Sequence, residues 1–411
     1  MRYRGGTVKR GLWGKNGSAP LNRPGSARVY YADNMAPKTE RAPTKGAGPG
    51  DPGGAPEGVQ RGALVKQKDV AALAEVSTAT VSLVLNEKPG VNEGTRRRVL
   101  QAARALGYTP NSIAQRLATR RSRTIGLIVT DIENPFFSAV TRHVDAYTKA
   151  AGYGLILEIS DDDLGREQAS IEDFIAKRVE GLIIVPTLHT LREDFSAFER
   201  LQAAGIPYLF LTSYYPGHRS HCVMTDLERG AYLVTRHLLR LGHRDIVLLA
   251  LDDTRVVPAA LRIAGFKRAL AQARCAFDPR MLVRCSLPNY RNGHEKTALL
   301  LRKRKPDAVM AINDLMALGA TRAIREAGYA VPDDVAVAGF DDVIFASISE
   351  VPLTTVRQDV PEMCRLATEH LLALLELGNP YRKAINIRSV PPRLVIRAST
   401  QAVTEPSRHG R

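Results

Sequence analysis

Apolar residues recur at helical spacing in three short segments between Val65 and Leu117. The junction between the first two is too tight for anything but a helix-turn-helix. Val70, Leu73 and Ala74 give the first helix an inner face. Glu75 and Val76 make the turn, and Ser77 is placed to N-cap a second helix over Thr78–Leu85. After a Pro-Gly loop, Asn86 to Val91, Asn92 caps a third helix that runs to Leu106. Its inner face is Val99, Ala102, Ala103 and Leu106, and Gly107 can end it in the left-handed conformation.

From Thr124 onward the period changes. Short runs that are apolar throughout, TIGLIVTD, YGLILEIS, GLIIVP and YLFLT, alternate with amphipathic helices over Phe137–Ala151, Arg166–Lys177 and Leu191–Ala203. Such strands belong to parallel sheet covered on both faces. The theme repeats with HCVMT, Arg229–Leu241, DIVLLAL, Ala259–Ala273, a weaker strand near Met281–Leu287, Gly293–Arg302, DAVMAI, Leu315–Ala327 and DVAVAGF. The pattern therefore predicts a small all-α head followed by an α/β domain of two lobes with doubly wound parallel sheets. A ligand would sit in the cleft at the carboxyl ends of the strands.

Charge sharpens this division. Residues 1–123 hold 22 Lys and Arg against 8 Asp and Glu, and the remaining residues 36 against 34. The basicity thus belongs to the front of the chain, where a phosphate backbone is its natural partner. Residues 1–63 are rich in Gly, Pro and basic residues, lack periodicity and are expected to be disordered. They read as an arm adding non-specific DNA affinity, as a plain flexible leader, or as sequence upstream of a start at Met35. Cys222, Cys275, Cys285 and Cys364 are scattered, which suits reduced thiols rather than disulfides or a zinc site. Without a signal-peptide core or a membrane-length apolar run, the protein is expected in the cytoplasm, at the nucleoid. No nucleophile elbow, no phosphate loop and no G-x-G-x-x-G opening a helix after a strand occurs, and the nine histidines show no metal spacing. No catalytic residue, metal or cofactor is expected, and an enzyme on this fold is disfavoured.

Several fixed spacings coincide over about fifty residues: Asp69-Val70-Ala71, then Val76-Ser77-x-x-Thr80-Val81-Ser82-x-Val84-Leu85-Asn86, then Thr95-Arg96, then Leu106-Gly107-Tyr108-x-Pro110-Asn111. They resemble the DNA-binding head of the lactose-repressor/galactose-repressor family of bacterial transcription regulators. The resemblance implies base reading by Thr78, Ala79 and Leu83, with Ser77, Thr80, Ser82 and Asn86 near phosphates or bases. It also implies that residues 110–123 hold a hinge helix, opened by Asn111, that pairs with its twin and wedges Leu117 into the minor groove. Three positions depart from the family. Leu83 stands where many relatives carry Arg, losing a guanine reader worth roughly 1–3 kcal/mol of discrimination. Lys66 replaces the usual Thr cap, and Glu75 occupies a turn position where Gly or Asn is common.

The remainder resembles the family's effector domain, which shares its fold with periplasmic sugar-binding proteins. This implies a head over 64–109 and an effector-binding and dimerisation domain over 124–400, followed by a tail, 401–411. Three chain crossings would give an N-lobe of 124–228 plus 358–387 and a C-lobe of 229–357 plus 388–400. The effector candidates are Phe136 and Phe137, Thr212, Arg262, Asn313 and Asp341. At most one of the two phenylalanines is expected in the pocket, the other packing the core; Asn313 reads equally as a helix cap. Thr212 stands where several sugar-responsive relatives have Asp. The protein so implied is a homodimeric repressor of a near-palindromic operator, controlled by a small polar effector, a sugar or sugar derivative, with no membrane partner. A permease-linked solute-binding protein would share the large domain, but the head argues against it.

Overall fold

The structure is a computed structural model that describes residues 65–86, 88–108, 122–187, 194–218, 220–253, 255–377 and 386–401. The leader, Asn111, Leu117 and most of the 110–123 segment lie outside the described residues.

The head has three helices: α1 (Gln67–Leu73), α2 (Thr78–Leu85) and α3 (Glu93–Ala105). They bury Val70, Ala71, Ala74, Val81, Val84, Val99, Ala102 and Ala103 together, with Leu106 packed at the edge. Leu73 does not join them and is 54% exposed. At about 100° per residue, Val70, Ala74 and Ala71 form one arc, and Leu73 lies roughly 110° from its centre. Ala71 takes the inner place expected of Leu73. Glu75 sits at φ +53°, the left-handed turn conformation that explains why Gly or Asn would suit the position. Ser77 caps α2, its Oγ accepting from the Thr80 N–H at 3.1 Å. The Lys66 side chain makes no cap, since an ammonium only donates. The Asp69 carboxylate instead accepts from the Lys66 N–H at 2.8 Å.

The first lobe runs through β1 (Thr124–Val129), α4 (Pro135–Ala150), β2 (Gly154–Ile159), α5 (Leu164–Ala176), β3 (Gly181–Ile184), α6 (Ser196–Ala203), β4 (Tyr208–Leu211) and β5 (His221–Thr225). The second follows with α7 (Leu227–Arg240), β6 (Ile246–Leu251), α8 (Val257–Gln272), β7 (Leu282–Cys285), α9 (Tyr290–Leu301), β8 (Ala308–Ala311), α10 (Asp314–Glu326), β9 (Ala336–Ala338), α11 (Ile344–Ile348) and β10 (Thr355–Arg357). The chain then returns through α12 (Val360–Glu376), β11 (Ile387–Val390) and β12 (Arg393–Val395).

One sheet has the order β11-β5-β4-β3-β1-β2 and the other β7-β6-β8-β9, and every neighbouring pair in both is parallel. In β1, Ile125, Leu127 and Val129 face α4 and α12, while Ile128 faces the Phe174 side, as the alternation of a strand buried on both faces requires. One boundary shifts: β11 pairs with β5, so the first sheet reaches Val390 rather than ending at 387. Several helices also begin two or three residues before the apolar pattern does. Asn134, Asp226 and Asn289 accept first-turn N–H groups, a signal that periodicity does not carry. Helices α9 and α10 cross closely through small residues. A Cβ on Gly319 would lie 2.1 Å from the Tyr290 carbonyl oxygen, and one on Gly293 2.2 Å from that of Met316.

Candidate functional site

Helix α2 turns Val81 and Val84 inward. At about 100° per residue, Thr78, Ala79, Ser82, Leu83 and Asn86 then share one outward arc of roughly 140°. Thr78 and Ala79 are exposed, and Ser82 and Leu83 are half-buried. The remaining polar groups serve the helix itself. The Ser77 and Thr80 hydroxyls bond each other at 2.9 Å, and Asn86 Nδ2 donates to the Ser82 carbonyl at 2.8 Å. What faces outward unoccupied is a hydroxyl, a methyl and a leucine side chain, a surface fitted to apolar and single hydrogen-bond contacts rather than to bidentate ones.

A second site lies between the lobes, where strands of both sheets end. Phe136, Phe137, Thr212, Arg262, Asn313 and Asp341, drawn from five places far apart in sequence, line one cavity of about 60 Å³. Both phenylalanines line it, contrary to the expectation of one. They are consecutive in the first turn of α4, which ends at the cavity, so both rings reach it; they pack edge to face at 5.2 Å. Asn134, also buried in the wall, positions them by accepting from the Phe136 N–H at 3.1 Å.

Arg262 is almost wholly enclosed. Its guanidinium lies 4.3 Å from the centre of the Phe340 ring, Nη1 donates to the Pro258 carbonyl at 3.3 Å, and Nη2 is 3.8 Å from Asp341 Oδ1. The buried Nε has no hydrogen-bond partner among the described residues. Burial pulls its pKa down to about 10, against the pull of Asp341, so it stays charged at neutral pH. Burial likewise pushes Asp341 up to about 7, with Arg262 and a hydrogen bond from Gln358 opposing. That bond, Gln358 Nε2 to Asp341 Oδ1, measures 2.6 Å.

Asn313 performs two tasks. Its Oδ1 caps α10 at the Met316 N–H (2.8 Å) and its Nδ2 donates to the Pro288 carbonyl (2.6 Å), joining the α10 start to the opposite loop. Asp314 points away from the cavity, fully buried, accepting from the Val343 N–H at 2.8 Å and the Thr355 hydroxyl at 2.5 Å. Burial, then the nearby Asp341, raises its pKa well above the carboxylate range. Asp342 is held by Arg397 and Arg357 at 2.6 and 2.5 Å. Thr212, Asp341 and Asp342 all have positive φ, +70°, +112° and +58°. Such strain in non-glycine residues gathers at functional sites.

The sequence reading missed Gln358, Pro288, Leu251 and Leu227 in this wall. Gln358 sits where the chain recrosses between lobes after β10, and no local motif marks it. A larger hollow, about 830 Å³, lies at the amino-terminal ends of the first-lobe strands beside Arg123 and Glu180, away from these residues. Among the described residues, no helix is long and apolar enough to cross a membrane and no His, Cys, Asp and Glu side chains gather as metal ligands.

Residues 66–111 match the profile of bacterial regulatory proteins of the lacI family, and residues 235–400 that of a periplasmic binding protein-like domain. The ribose operon repressor of Haemophilus influenzae is 31% identical over 337 residues, spanning 82% of this chain and 98% of the repressor. A crystal structure of the lac repressor dimer bound to operator and the anti-inducer ONPF has a TM-score of 0.71 at 30% identity, covering 82% of this chain and 99% of that one. A lacI-family regulator from Enterococcus faecium with bound ribose has a TM-score of 0.61 at 29% identity, covering 68% and 100%. These relatives regulate transcription and are not enzymes. With a matching head, a matching two-lobed domain and full-length relatives at this identity, the chain belongs to the lacI family of bacterial transcriptional regulators.

Proposed function

We propose that the protein is a homodimeric repressor that binds a near-palindromic operator and is controlled by a sugar or sugar derivative in the interlobe cleft. The observation that carries this reading is the convergence of Phe136, Phe137, Thr212, Arg262, Asn313 and Asp341 on one cavity between lobes. Aromatic faces beside a guanidinium and a carboxylate are the means by which a ring bearing hydroxyls is held. Thr78, Ala79 and Leu83 read bases, and Ser77, Thr80, Ser82, Asn86 and Asn111 lie along the duplex. Leu117, in the hinge segment, wedges the minor groove. An effector that prefers one lobe arrangement changes the spacing of the two hinges, which couples the cleft to the operator.

A second copy is supported by an apolar face on the C-lobe. Ile344, Phe345 and Ile348 are exposed there, Ile348 to 67%, around a hollow bordered by Tyr290, Leu318 and Val351. Patches of this kind mark association surfaces. The whole reading is tested by fluorescence anisotropy of the full-length protein on its own promoter DNA. Affinity falls by at least a hundredfold between 50 and 200 mM salt, as expected on the order of 10³ for several phosphate contacts. A sugar from a broad panel shifts the binding curve. A flat salt response, or indifference to every sugar, overturns it.

A further inference from the structure

The chain enters the first lobe at Ser122–Thr124, and this junction is held at several points. Glu180, half-buried just ahead of β3, accepts the Arg123 N–H on Oε1 at 2.6 Å, and its own N–H donates to the Thr124 carbonyl at 2.8 Å. From the other side Gly154, the first residue of β2, donates to the Arg123 carbonyl at 2.8 Å, and the Arg123 guanidinium lies 5.6 Å from the centre of the Tyr153 ring. The Thr124 hydroxyl donates to the Ser122 carbonyl at 3.0 Å. Arg123 itself is at φ +49°, a left-handed conformation that a non-glycine residue keeps when its surroundings impose it.

These contacts lie where the backbone leads into three adjacent strands, β3, β1 and β2. Strand β1 is buried along its whole length and paired on both sides, so it moves with the lobe as a rigid rod of six residues, roughly 20 Å long at about 3.3 Å each. Its carboxyl end leads into Asn134, Phe136 and Phe137 of the cleft, and its amino end is the junction. A rotation of the first lobe is therefore delivered whole to Thr124. Its passage beyond Ser122 depends on the stiffness of one strained residue, and the side chain that holds that residue from β3 is Glu180. Without that bond Arg123 relaxes toward the commoner backbone regions, and the chain swivels there.

We propose that Glu180 is a positioning residue for operator binding: its hydrogen bond to Arg123 fixes the direction in which the hinge segment joins the lobe, and so passes the lobe arrangement to the DNA-reading part of the chain. In this role Glu180 touches neither base nor phosphate. This rests on the reading of residues 110–123 as a hinge, and it names the joint that reading leaves unassigned. What matters is the reach of the side chain, since the acceptor must arrive within hydrogen-bond distance of the Arg123 N–H; its charge is secondary.

Fluorescence anisotropy of the full-length protein on its own promoter DNA and on random-sequence DNA of the same length, at one salt concentration, tests it with two variants. Glu180→Asp keeps the charge and polarity of a half-buried site, and with them the fold, but its carboxylate is one methylene short of the Arg123 N–H. Glu180→Gln loses the charge but presents a carbonyl oxygen at the original reach. Glu180→Asp lowers the preference for promoter over random DNA at least fivefold, with random-sequence affinity within twofold of the wild type and an unchanged melting temperature. Glu180→Gln stays within twofold of the wild-type preference. Equal preference in Glu180→Asp and the wild type, or a loss in Glu180→Gln as large as that in Glu180→Asp, overturns the joint alone. So does a parallel fall of melting temperature and of both affinities, which would make Glu180 a residue of the fold only. A wild-type protein with no preference for its promoter overturns the joint together with the reading it rests on.

Discussion

Asp341 carries three constraints at once: a left-handed backbone, near-complete burial and a position between Arg262 and Gln358. Its carboxyl ionises near pH 7 in the folded protein and near 3.8 when unfolded. Between those values the unfolded chain has lost the proton and the folded one keeps it, so stability falls as pH rises from about 4 to about 7 and levels off above. The slope approaches about 1.4 kcal/mol per pH unit at its steepest. Asp314, raised in the same direction, adds to that fall. Asp341→Asn should remove one of the two contributions. Urea unfolding of both proteins at half-unit steps from pH 4.5 to 8 measures it, and parallel curves would show that Asp341 does not titrate there.

Gly293 and Gly319 let the backbones of α9 and α10 touch, each facing a carbonyl of the other helix. Because Asn313 caps the start of α10 and α9 follows the Pro288 loop, this crossing fixes the C-lobe wall of the cleft. Gly319→Ala forces the helices apart and should cost about 1–3 kcal/mol, the range for overpacking a tight contact. Chemical denaturation would show it as a lower midpoint, and an unchanged midpoint would mean that the two helices slide freely. The strands and helices on either side were legible because each satisfies a simple period. Helix starts were less so, since Asn134, Asp226 and Asn289 act through single hydrogen bonds outside the apolar pattern. Leu73 misled for the opposite reason: it fits the period but falls on the wrong side of a two-turn helix whose inner face is decided by its partners.

The sequence sets a basic front before a near-neutral two-lobed body, and in the proposed homodimer two readers act as one binding unit. Ile348→Lys places a charge in the exposed C-lobe patch without disturbing the core, because the side chain is open to solvent. It should yield monomers in analytical ultracentrifugation at micromolar concentration and weaken operator binding at least tenfold while leaving the melting temperature of the monomer intact. A variant that remains dimeric would move the interface to another face.

What the sequence determined by itself was the order and kind of the elements, the position of the reader helix and the identity of six side chains that meet in the cleft. The elements and the reader helix depend on local periodicity and capping, whereas the six side chains follow from the resemblance to the family at matched positions. The tertiary structure alone decided that both Phe136 and Phe137 reach the cavity, that Gln358 holds Asp341 and that β11 extends the first sheet to Val390. These depend on residues brought together from lobes that the chain crosses three times, and on volumes left between them, quantities that no local pattern encodes.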